Sequence, residues 1–165
     1  MTTVKSNITP NPETVLDSFL PDPARYTEAD FIRRLIKHRL HQQPIECLIV
    51  GFYRHGELVS VRTAAKGDAH HVRVPLGRIL RRAQKIDATG IALAHNHIDA
   101  SAAPSRVDEA SACLTFEACW RCGIELRDEL VLSSNAIYSM RDFGPWPKAL
   151  ESYTAMRNRT FIFPT

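Results

Sequence analysis

Apolar positions along this chain keep two rhythms, and the places where the rhythm changes mark its elements. Phe31, Ile32, Leu35, Ile36 and Leu40 recur at the three- and four-residue steps of one helix face, behind a start signal at Thr27-Glu28-Ala29-Asp30. They predict a helix over residues 27–41. Two runs rich in β-branched and aromatic residues follow, over 45–54 and 57–63, and His55-Gly56 between them reads as a tight hairpin turn. Helical spacing returns after Pro75 with Leu76, Ile79, Leu80, Ala83 and Ile86. Residues 90–94 are a short apolar run of the kind that forms a buried strand. Pro104-Ser105 then opens a long helix that runs to Cys122, with Gly123 as its stop. Strands over 124–132 and 136–141 close the pattern, while 68–73 fits neither rhythm.

The ends of the chain lack such patterning. Residues 1–24 hold four of the ten prolines and read as an extended, mobile segment. Residues 145–165 form a tail whose main apolar feature is Phe161-Ile162-Phe163. The organised part, residues 25–144, is expected to be one domain that includes its leading helix, as a chain of 165 residues allows. No apolar stretch approaches the ~20 residues of a membrane span, so no membrane partner is expected. The N-terminus lacks the basic-then-apolar layout of a signal peptide, and four cysteines suit a reducing compartment, so the expected setting is cytoplasmic. The net charge of +3 is too small to demand an acidic partner.

The chemistry is concentrated in one frame, His95-x-His97-x7-Ser105-x2-Asp108. Residues two apart on a strand share a face, so His95 and His97 can present both rings to one ion while Asn96 points away. A loop over 98–103 would fold the first turn of the next helix back, bringing the Asp108 carboxylate to the two imidazoles. Two nitrogens and a carboxylate suit Zn²⁺, and three protein ligands leave one position open for water. Taken alone, Ser105 and Asp108 also form a capping-box-like pattern. The joint frame, with a strand before it and a helix after it, favours the metal. Such a centre needs a base, and Glu46 stands in an otherwise apolar strand pattern where a carboxylate is costly to bury unless paired or near a metal. Partial desolvation would raise its pKa towards the range useful for proton transfer.

A Glu on an early strand followed by this frame resembles the JAB/MPN metalloprotease (JAMM) superfamily, and the chain is most similar to its RadC-like JAB domain. The resemblance runs over residues 45–144 and includes the 76–86 helix and the closing Tyr138-Ser139-Met140-Arg141-Asp142-Phe143-Gly144. It implies a cytidine-deaminase-like, three-layer α/β fold with a mixed sheet flanked by helices. It also implies a Zn²⁺-dependent peptidase or isopeptidase acting on a peptide or isopeptide-linked protein. Carried over by position, His95, His97 and Asp108 would be the ligands, Glu46 the base and Ser105 a donor to the oxyanion. The chain departs from the family at Ile98-Asp99-Ala100, where Pro-Ser-Gly is usual, and at Asp128-Glu129, where Asp-His is frequent.

Other signals lead elsewhere. Cys119-Trp-Arg-Cys122 falls at a predicted helix C-terminus, where the dipole disfavours a thiolate, so it reads as buried or half-exposed cysteines rather than a redox pair. Zinc deaminases need His-x-Glu and Pro-Cys-x-x-Cys; here His97 and Ala118 stand at the Glu and Pro positions, which excludes that chemistry. Arg78, Arg81, Arg82 and Lys85 form a basic helix stripe, and Arg33, Arg34, Lys37 and Arg39 a second basic patch. Stripes of this kind ordinarily solvate an outer face. They also leave an alternative, a nucleic-acid-associated accessory protein with a non-catalytic metal site.

Overall fold

The two runs around His55-Gly56 form an antiparallel hairpin of β1 (Cys47–Arg54) and β2 (Glu57–Lys66) in the computed structural model, which describes residues 27–99 and 101–143. The expectations for residues 1–24 and 145–165 lie outside the described residues. His55 and Gly56 both take positive φ, 51° and 86°, as a two-residue hairpin loop requires. On the other side of β1, β3 (Gly90–Asn96) pairs antiparallel. β3 in turn pairs parallel with β4 (Glu125–Leu132), which is closed by antiparallel β5 (Ile137–Ser139). The strand order is β2-β1-β3-β4-β5, a mixed sheet with β3 at its centre.

Helices cover both faces, giving the expected three-layer α/β arrangement. On one face α1 (Ala29–Lys37) sets Phe31, Ile32 and Leu35 against Ala92, Ala94, Leu130 and Leu132. On the other, α2 (Leu76–Lys85) and α3 (Arg106–Arg121) contribute Ile79, Ala83, Ala112 and Cys119 against Phe52, Ile91 and Leu93. A central strand covered on both sides must be apolar throughout, and all seven β3 residues are buried. At the sheet end away from the histidines, the Arg127 guanidinium stacks over the Tyr53 ring at 4.5 Å. Its Nε donates to the buried Glu28 carboxylate at 2.9 Å, tying the start of α1 to β4.

The structure corrects three boundaries. The first helix stops at Lys37, because Arg39 takes a left-handed φ of 53° and a separate 3₁₀ turn, Leu40–Gln42, follows. β2 runs on to Lys66 beyond the expected 63, with register shifts opposite Leu48/Ile49 and Phe52/Tyr53 that bend the hairpin. The last strand ends at Ser139, and residues 140–141 belong to a helical turn, α4 (Met140–Phe143). Met140 is fully buried in the core, and the Asp142 N–H donates to Ser139 Oγ at 3.0 Å, which turns the chain.

Gly51 shows how α1 is seated. A Cβ there would lie 2.9 Å from Phe31 Cδ2 and 3.1 Å from Leu58 Cδ1, both well-packed side chains. Gly51→Val should therefore push α1 off the sheet and cost about 1–3 kcal/mol, measured as a lower urea midpoint.

Candidate metal centre

The alternation of β3 does what the frame requires. His95 sits opposite Leu48 of β1 and Val131 of β4. The ladder continues one residue further, through the His97 N–H to the Leu132 carbonyl at 2.7 Å, so both imidazoles project from a fixed backbone. At the start of α3, Ser105 is the N-cap. Its Oγ accepts the Asp108 N–H at 3.1 Å, and its own N–H donates to Asp108 Oδ2 at 2.7 Å. This reciprocal capping box aims the carboxylate at the strand end.

The three side chains converge. His95 Nε2 lies 3.2 Å from His97 Nε2 and 3.5 Å from Asp108 Oδ1, and His97 Nε2 lies 3.4 Å from Asp108 Oδ2. Zinc bonds of about 2.0–2.1 Å at tetrahedral angles place neighbouring ligand atoms about 3.3 Å apart, so the donor set has the right size. Two Nε2 atoms facing each other at this distance need a proton or a cation between them. His97 Nδ1 faces the Ser101 carbonyl at 3.2 Å, which fixes the ring and leaves Nε2 as the inward donor.

The electrostatics suit ligation. Burial pushes His95 down to about 4, so it stays neutral at physiological pH, as a ligand must. His97 is raised, first by its hydrogen bond with Asp108 and against the effect of burial. Burial alone would raise Asp108, but bonds from His97 and Ser105 outweigh it and hold the carboxyl well below its ordinary range.

Glu46 lies beside this trio, buried just before β1, an interior strand rather than an edge. Burial raises its pKa, with the charge of His97 lowering it and that of Asp108 raising it. Its backbone is pinned from two directions. The Glu46 N–H donates to the Asp68 carbonyl at 2.7 Å, and its carbonyl accepts the Gly67 N–H at 2.8 Å. On the other side, the fully buried Asn96 accepts the Cys47 N–H through Oδ1 at 2.8 Å. Its Nδ2 donates to the Ile45 carbonyl at 3.1 Å and the Gln43 carbonyl at 3.4 Å.

Sequence reasoning placed Asn96 on the opposite face but gave it no role; a buried amide in an apolar strand must find partners, and that was the available signal. Within the ambiguous 68–73 stretch, residues 68–71 form a turn. There Asp68 Oδ1 accepts the N–H groups of His70 and His71, at 2.8 and 3.0 Å, and Oδ2 faces His71 Nδ1 at 3.2 Å. Glu129, noted only as a departure from the family, is fully buried, and its Oε2 has no hydrogen-bond partner among the described residues. Burial pushes it up to about 8, helped by the charges of Asp108 and Asp128. Cys119 is a packed core thiol pushed up to about 12 by burial, while Cys122 is exposed at the C-cap. The α2 stripe of Arg78, Arg81, Arg82 and Lys85 is exposed throughout.

Comparison with known proteins gives the family. A family model described as the RadC-like JAB domain matches residues 26–145. The chain is similar to the UPF0758 protein of Streptococcus sanguinis, 30% identical over 112 residues that cover 67% of this chain and 49% of that protein. It is 29% identical over 112 residues to the UPF0758 protein of Carboxydothermus hydrogenoformans, covering 68% and 48%. To the UPF0758 protein of Aquifex aeolicus it is 39% identical over 66 residues, covering 40% and 29%. The chain spans about half the length of the first two of these relatives.

Two outcomes follow from the buried polar groups. Asn96→Ala strands the buried Cys47 N–H and should cost about 1–3 kcal/mol in urea unfolding. Glu129 in the folded protein binds its proton more tightly than in the unfolded chain, so stability falls as pH rises from its ordinary value of 4.5 to about 8. Asp128, pushed up to about 7 by burial against three hydrogen bonds, adds to the same slope. Glu129→Gln should flatten the slope, leaving the part due to Asp128, as calorimetry across that range would record.

Proposed function

From a chain that belongs to the RadC-like JAB domain family, we propose a zinc-dependent hydrolase that cuts a peptide or isopeptide bond. The observation that carries the reading is the convergence of His95, His97 and Asp108 at tetrahedral spacing, with the raised carboxyl of Glu46 alongside. His95, His97 and Asp108 would hold Zn²⁺. When bound, the ion supplies a Lewis acid and a water acidified towards neutral pH. Glu46 accepts the proton of the attacking water at its carboxylate and returns it to the leaving amine nitrogen. Burial suits it to both steps, because a pKa nearer neutrality makes the group competent as base and then as acid. Ser105 Oγ already accepts from the Asp108 N–H, which leaves its own O–H free to donate to an oxyanion.

Metal analysis combined with a cleavage screen on peptide and isopeptide libraries tests the reading. His97→Ala should lose zinc and cleavage together. Glu46→Gln should keep the zinc and lose at least about 100-fold in cleavage rate. Protein purified without zinc from metal-replete medium would sink the proposal, as would a Glu46→Gln variant that cleaves like the parent.

A further inference from the structure

Positive charge in this chain is concentrated in one stretch. Residues 54–85 carry eight Lys and Arg against two acidic residues, a net of +6, so with +3 for the whole chain the remainder is net −3. None of the eight cations forms an ion pair among the described residues. The stretch wraps one edge of the sheet: β2 is the edge strand, the 67–71 turn follows it, and α2 lies on the far face. Arg78 fastens α2 back to β2 through the Ala64 carbonyl at 3.5 Å.

A groove of about 280 Å³ is built into this edge on the α1 side. Leu40, Ile49 and Val61 line it as apolar surface, Arg62 and Lys66 supply its cations, and none of its nine lining residues is acidic. It sits at the same end of the sheet as the metal centre. Lys66 pairs in register with Cys47, the residue after Glu46, and the next residue, Gly67, donates its N–H to the Glu46 carbonyl. The two sites therefore lie on opposite faces of one sheet end.

The geometry points to an acidic segment of a polypeptide substrate as the occupant of this groove, its carboxylates on Arg62 and Lys66 and its aliphatic stems on the apolar lining. The link to the metal centre rests on the hydrolase reading above; the binding itself does not require catalysis. A nucleic acid fits less well. Residues 54–85 contain no Phe, Tyr or Trp on which bases could stack, and a phosphodiester chain gains nothing from an apolar lining.

Fluorescence anisotropy of the full chain with a labelled peptide of alternating Glu and Leu tests this, with an alternating Lys–Leu peptide and a single-stranded oligodeoxynucleotide as competing probes. The Glu–Leu peptide should bind, and more weakly as salt is raised. Its affinity should fall at least about tenfold in an Arg62→Glu/Lys66→Glu variant whose urea midpoint matches the parent. His97→Ala should bind the peptide unchanged, which separates this groove from the metal centre. Unaltered affinity in the double variant, or loss of binding in His97→Ala, would overturn the proposal. An oligonucleotide that binds more tightly than the peptide and is lost in the same double variant would assign the surface to nucleic acid instead. Failure of the cleavage screen leaves the binding result intact, so the two readings fail separately.

Discussion

A single buried carboxamide joins the two halves of this site. Asn96 lies between the two histidines on β3, and strand alternation that turns both imidazoles to one side turns its amide to the other. There it bonds the backbone on both sides of Glu46, through Cys47 N–H and the carbonyls of Ile45 and Gln43. On the β3 side the ladder of β1 begins only at Leu48, so without the amide the buried Cys47 N–H would be left unpaired. β3 thus sets the position of Glu46 through main-chain contacts, and the His-x-His spacing has a structural role at its middle residue.

The charges divide into roles by environment. His95 is held neutral by burial, and Asp108 is held ionised by the groups that point at it. Glu46 is pushed the other way by desolvation. Carboxyls with opposite shifts in one site is the arrangement by which a protein separates a charge-bearing ligand from a proton carrier. Glu129, on β4, is pushed up by burial, and the charges of Asp108 and Asp128 act in the same direction.

What could be read from the sequence followed from local periodicity. The helix faces and the hairpin at His55-Gly56 depend on spacing within a few residues and are found in the structure, and the frame from His95 to Asp108 brings its three side chains together. The elements that escaped depend on contacts from afar. Arg39 adopts a left-handed conformation that no local signal announces, and residues 140–141 leave the sheet because Met140 finds a place in the core. The turn at 68–71 is shaped by bonds to Glu46, more than twenty residues earlier in the chain. Asn96 and Glu129 were visible as polar residues in apolar runs, but their partners, or lack of them, are facts of packing.

The capping box at the start of α3 has a consequence for observation. Asp108 Oδ2 both faces His97 and accepts the Ser105 N–H, so one oxygen serves the donor set and the first turn of the helix. Anything that competes for that oxygen, whether a proton or a cation, draws electron density from the bond to the Ser105 amide. Solvent exchange of that one amide hydrogen is therefore a built-in gauge of what the site holds, readable with no substrate in hand.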